Sequence, residues 1–168
     1  ELEHPARPEL ADALNDKSSQ LFSFFLSFAV IGRYWLAHHQ FFAKLAWVDG
    51  GLIALNLLYM ASIAFLPFPT DLLGSYSDNP LAVAIYAVSV AVVSGLEVVL
   101  FRHAHRRLMM RERLPDDVYR WGIFQSSSPV LFFLIAVPVA FVSTALAIAC
   151  WFLVIPFAIV SQRWQPAE

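Results

Sequence analysis

Between Trp121 and Gln162 the chain runs for 42 consecutive residues without a single Asp, Glu, Lys or Arg. As one helix that stretch would reach about 63 Å at about 1.5 Å per residue, roughly twice the ~30 Å hydrocarbon core of a bilayer. It is therefore expected to form two membrane spans, with the break near Ser143 and Thr144. Pro138 is expected either to kink the earlier helix or to mark its end.

Three further apolar stretches have spanning length. The first runs from about Ser18 to Leu36 and is interrupted only by Arg33, whose long side chain can snorkel to the headgroups. The second covers about 51–67, and the third 81–101 with Glu97 as its only charge. Together with 121–142 and 143–160 they make five spans within a transmembrane domain at 18–162. The predicted fold class is all-α, a polytopic transmembrane helical bundle with five spans visible of an expected six. Composition agrees: 59% of residues are hydrophobic and 14% charged, against roughly half and a quarter in soluble domains. The spans follow each other too closely to leave room for a soluble module, so the chain reads as one domain. No internal repeat or low-complexity linker interrupts it.

Charge assigns the sides. Under a five-span count, nine of the eleven basic residues fall on one side. These are Arg33, Lys44, the loop run Arg102, Arg106, Arg107, Arg111, Arg113 and Arg120, and Arg163. The basic side is expected to be cytoplasmic. Loops 37–50 and 102–120 and a tail at 163–168 then lie inside, while the tail at 1–17 and the loop at 70–80 lie outside. The first twenty residues are acidic and contain proline, which does not fit a cleavable signal peptide. An outside N-terminus with no signal peptide predicts an earlier helix, and Glu1 is not Met, so a span upstream of Glu1 is expected. A net charge of −2 gives no reason to expect nucleic-acid binding.

The polar residues of the first hairpin are the most informative. Trp35 and His38 are three apart and Asp49 and Asn56 seven apart, so each pair is expected on one helical face, with the two faces able to meet. A polar group at that depth needs a partner, since an unpaired amide or imidazole in hydrocarbon costs several kcal/mol. Interhelical hydrogen bonds worth roughly 0.6–2 kcal/mol are the plain reading. His39, next to His38, is expected to face elsewhere.

Neither His38 and His39 nor His103 and His105 has an acid or cysteine at a helical ligand spacing, so no metal site is expected. His103 and His105 are expected to add to a solvated, lipid-facing basic patch. Glu97, before Arg102 and Arg106, is expected to be a capped or arginine-paired acid near the cytoplasmic interface, with a proton relay as the alternative. Cys150, alone, reads as a small buried hydrophobe. Ser126 to Pro129 should permit close helix approach. No Ser-His-Asp grouping, P-loop or glycine fingerprint is present, so no catalytic residue, enzyme activity or cofactor is expected.

In order and type, Ser27 and Phe28, Trp35 and His38, Phe42, Asp49, the "LNL" around Asn56 and the "FLPF" from Phe65 to Phe68 resemble the transmembrane protein 175 family of potassium channels in its short bacterial form. About fifty residues carry the resemblance; the later spans fit by length and by the arginine-rich loop. It implies six helices per repeat, homotetramers in the bacterial inner membrane, potassium ions and lipid as partners, and a pore lined by the first helix. The Phe-Ser-Asp signature of that helix is absent here, and "LEHP" at 2–5 looks like its outer end. Trp35, His38, Asp49 and Asn56 match positions that, by the resemblance, help hold the signature in place, while the pore-lining residues stay unknown. The expected function is a potassium-permeable channel subunit; a non-conducting membrane scaffold or a small membrane enzyme using the histidines is the alternative.

Overall fold

The computed structural model describes residues 18–161 and Arg163. The tails expected at 1–17 and 163–168, and the "LEHP" segment, lie outside the described residues apart from Arg163. Among the described residues seven helices follow one another: α1 Ser18–Ala43, α2 Gly50–Phe65, α3 Pro67–Ser75, α4 Pro80–Arg106, α5 Asp116–Ala140, α6 Thr144–Phe152 and α7 Val154–Ser161. Among the described residues the only β-type pairing is an isolated antiparallel bridge between Leu45 and Met110. The all-α bundle predicted from the sequence is the observed fold.

Four helical stretches are long and apolar enough to cross a membrane by length and composition: Gly50–Ser75, Pro80–Arg106, Asp116–Ala140 and Thr144–Ser161. Helix α1, with 26 residues, is a fifth of comparable length. The charge-free segment is divided at 141–143, between α5 and α6. Ser143 caps the second half, its hydroxyl accepting from the Leu146 N–H at 3.3 Å. Pro138 lies inside α5, three residues before its C-cap Phe141.

Near Pro67 the chain departs from the sequence reading, which ended the second span there. The helix continues past a turn at Leu66 to Ser75. Proline lacks an N–H, and Pro67 occupies the first position of α3, where that absence leaves no bond unmade. At this turn the Leu66 N–H donates to the Ile63 carbonyl at 3.1 Å, and the Leu66 carbonyl accepts from both the N–H and the hydroxyl of Thr70. The connection to α4 shrinks to 76–79, shorter than the loop expected at 70–80. Asn79 then caps α4, with Pro80 at its first position.

Helix α4 is the spine of the bundle, packing against α2, α3 and α5, while α6 and α7 pack on α5. Its buried face is built largely of small residues, among them Ala82, Ala84, Ala87, Ala91 and Ser94, which let neighbouring backbones approach closely. Helix α1 lies mainly against α3 and reaches α4 through a side chain. Tyr34 Oη and Ser94 Oγ are 2.8 Å apart in the core, and Tyr59 Oη donates to the Tyr34 carbonyl at 3.4 Å. The opposite face of α1 is uncovered: Leu21, Phe24, Phe25, Phe28 and Trp35 are all exposed.

Candidate functional site at the arginine-rich end

At the end of the bundle that holds the α1–α2 and α4–α5 turns, the structure sorts the four residues singled out from the sequence into three places. His38 and Asn56 meet: His38 Nε2 is 2.7 Å from Asn56 Oδ1 across the α1–α2 hairpin. The imidazole is sandwiched between Phe42, with ring centroids 4.3 Å apart, and Tyr59 at 5.8 Å. The hydrogen bond and the flanking rings fix its orientation.

Trp35 does not share that face. It is 59% exposed and stacks on His39, with centroids 5.5 Å apart and planes 11° from parallel. The i, i+4 neighbour offers the overlapping plane that the i, i+3 partner does not.

Asp49 does not join the His38–Asn56 pair. It precedes α2 as its N-cap in extended conformation, and its Oδ1 accepts from the Leu52 N–H at 2.7 Å. The same carboxylate receives His103 Nε2 at 3.0 Å and lies 3.9 Å from Arg107 Nε. The Leu52 N–H, followed by His103 and Arg107, holds the Asp49 carboxyl below its usual range. His103 is thus an interhelical partner, correcting its assignment to a solvated patch. Gly51 leaves room for it, since a Cβ there would stand 3.0 Å from His103 Cε1. His105 stacks on Tyr119 of α5 at 3.6 Å.

Glu97 is not paired with Arg102 or Arg106: no ion pair within 4 Å joins them. Offsets of five and nine residues, at about 100° per residue, turn those arginines well away from Glu97 on the helix. The glutamate instead opens on a cleft of about 420 Å³ between α1, α4 and α5, lined also by Arg33, His38, Lys44, Tyr59 and Gln125. Cys150 is half-buried against the core. Within the "SSSP" segment Ser128 is buried, and its hydroxyl bonds to the Gln125 carbonyl at 2.9 Å. Among the described residues no three His, Cys, Asp or Glu side chains are grouped to hold a metal ion.

Sequence reasoning missed one device. The turn after α1 and the turn after α4 are clasped by backbone hydrogen bonds, Ala46 N–H to Met109 C=O at 2.8 Å and Arg111 N–H to Lys44 C=O at 2.9 Å. The Arg111 guanidinium adds a bond to the Leu45 carbonyl at 3.1 Å. Leu108 turns the chain into position with φ of 55°, a left-handed conformation that costs about 1–2 kcal/mol for an L-residue. Six arginines lie between positions 102 and 120, three of them in this turn, and nothing in their spacing announces the clasp.

With this geometry in hand, the chain can be set beside known proteins. The family model described as the endosomal/lysosomal potassium channel TMEM175 matches residues 1–67. A potassium channel of Chamaesiphon minutus is 31% identical over 151 residues, covering 83% of this chain and 71% of that protein. The chain belongs to the TMEM175 family. A second bacterial relative, a potassium channel of Streptomyces collinus, is 30% identical over 132 residues; the chain spans 64% of its length, and the match covers 76% of this chain. In three dimensions the chain resembles the crystal structure of a TMEM175 homolog from Chamaesiphon minutus, described as a lysosomal potassium-selective channel. The TM-score is 0.72 at 26% identity, with 91% of this chain and 79% of that one covered. A multi-pass membrane fold is thus common to this chain and its TMEM175 relative, and the family is one of ion channels.

Proposed function

We propose that the chain is a subunit of a potassium-permeable channel in the bacterial cell membrane, that four copies assemble around a central pore, and that the pore is lined by a helix other than α1–α7. The observation that carries this is the match to the Chamaesiphon potassium channel over 71% of its length. A selective pore needs a ring of groups converging on an axis. The described spans offer no glycine-rich segment to present carbonyls, since Gly51 and Gly122 sit against His103 and Phe101 side chains and the chain has only six glycines in all. Of the polar side chains described above, His38, Asn56, Asp49 and His103 have partners within the bundle.

Helices α1–α7 are then the scaffold. The exposed face of α1, from Leu21 to Trp35, provides apolar surface against which a pore helix can pack. Trp35, His38, Asp49 and Asn56 act on that helix from behind: His38 and Asn56 hold α1 to α2, and Asp49 holds α2 to α4. The basic end faces the cytoplasm, in keeping with the excess of arginine there.

Potassium flux into liposomes tests this reading, comparing the full gene product with a chain beginning at Glu1. The expected result is potassium flux in preference to sodium from a full-length tetramer and none from residues 1–168. Selective flux from residues 1–168 would place the pore within these spans, and silence from a folded full-length tetramer would favour a non-conducting scaffold.

A further inference from the structure

A second groove, of about 660 Å³, opens between α4 and α5 on the outside of the bundle. Its rim carries Arg102 and Arg106, one turn apart on α4, together with His105 and with Arg120 from the second turn of α5. Its wall carries Ile123 and Phe124, one turn further along α5. Phe124 is 48% exposed, and the stack of Tyr119 on His105 closes the groove between the two helices.

The three arginines differ from Arg107 and Arg111. Arg107 stands beside Asp49, and Arg111 is bonded to the Leu45 carbonyl. Among the described residues no carboxylate lies within 4 Å of Arg102, Arg106 or Arg120, and all three are exposed. Asp116 and Asp117 begin α5 one turn before Arg120; the Asp117 carboxylate is engaged by the Val118 N–H at 2.9 Å. They lessen the positive charge at this corner without pairing to it.

Guanidinium groups that converge from two helices favour an anion with several oxygens. Apolar side chains directly below them, on the side of the bilayer, favour an anion that carries a hydrocarbon chain. We propose that this groove binds the phosphate group of an anionic phospholipid between Arg102, Arg106 and Arg120, with an acyl chain lying over Ile123 and Phe124. Basic pockets between transmembrane helices are suited to such headgroups. The site is separate from the proposed pore and does not depend on the channel reading.

Binding of phosphatidylglycerol and of phosphatidylcholine to the purified full-length protein in detergent, counted by native mass spectrometry, tests it. Phosphatidylglycerol is expected to bind in preference. Arg102→Gln, Arg106→Gln and Arg120→Gln should each weaken that binding about fivefold, with Arg102→Lys restoring most of it. Arg113→Gln, a charge loss on the same loop but outside the groove, should leave binding unchanged. Equal loss from Arg113→Gln would overturn the site in favour of diffuse attraction to the basic surface. Inorganic phosphate displacing the lipid at equal concentration would overturn the lipid as ligand in favour of a soluble anion. Phe124→Ser gives a further check: unchanged lipid binding would remove the acyl-chain contact. Melting temperature and elution volume establish that each variant is folded.

Discussion

Asp49 and His103 are 54 positions apart in the chain and 3.0 Å apart in space, one at the start of α2 and the other in the last turn of α4. The carboxylate caps one helix and receives the imidazole of the other, so two helix ends are fixed through one side chain. Its carboxyl is held below the ordinary range, first by the Leu52 N–H and then by His103 and Arg107. A lowered folded-state value means that the stability it contributes is fully present above the unfolded value of about 4 and is lost as pH falls through the folded value. Melting temperature in detergent should therefore drop as the pH is lowered below the unfolded value of about 4. Asp49→Asn should flatten that slope while keeping the cap, because asparagine also accepts from the N2 or N3 N–H. An unchanged slope would show that other carboxylates govern the acid transition.

The His38–Asn56 bond gives a second prediction. Asn56→Leu should cost roughly 0.6–2 kcal/mol, and a double-mutant cycle with His38→Phe should return most of that as coupling. Unfolding by denaturant in mixed micelles measures it. Independent, additive losses would mean that the two side chains contribute through packing alone.

Trp151 presents the opposite case. Its indole N–H is buried with no hydrogen-bond partner among the described residues, while its ring stacks on Phe133 at 5.3 Å and touches Tyr86 at 5.0 Å. A buried unpaired donor costs about 1–3 kcal/mol. Trp151→Phe removes the donor and keeps an aromatic ring, so the melting temperature should hold or rise. Trp151→Ala leaves a cavity and should cost about 3–5 kcal/mol. A large drop from the phenylalanine variant would mean that the N–H is satisfied in the membrane.

Orientation is testable with single cysteines in a Cys150→Ser background. A cysteine at Arg111 should react with an impermeant reagent only after the cells are opened, and one at Asp78 should react in intact cells. Labelling at position 111 from outside would invert the assignment of sides.

The bundle was legible wherever charge is absent, because a run such as 121–162 has no soluble alternative and its length sets the number of crossings. The continuation of the second span past Pro67 was not. Proline reads as a stop unless it falls at the first position of a new turn, and only the backbone reveals that. His38 and Asn56 were legible as polar groups in need of a partner, since one hairpin brings them together. Asp49 and His103 were not, because the partner lies two spans further along the chain. The basic loop looked like uniform solvated charge, yet one histidine pairs with Asp49, the other stacks on Tyr119, and Arg111 holds a neighbouring turn.

The clasp between residues 44–46 and 109–111 has a mechanical consequence. Two hairpins that share backbone hydrogen bonds at one end cannot part there without breaking them, whereas among the described residues no backbone hydrogen bond joins the far ends of α1 and α4. Away from the clasp the two helices are joined through α3, which packs on both, so a pull on the α4–α5 turn is delivered directly to the clasped end of α1.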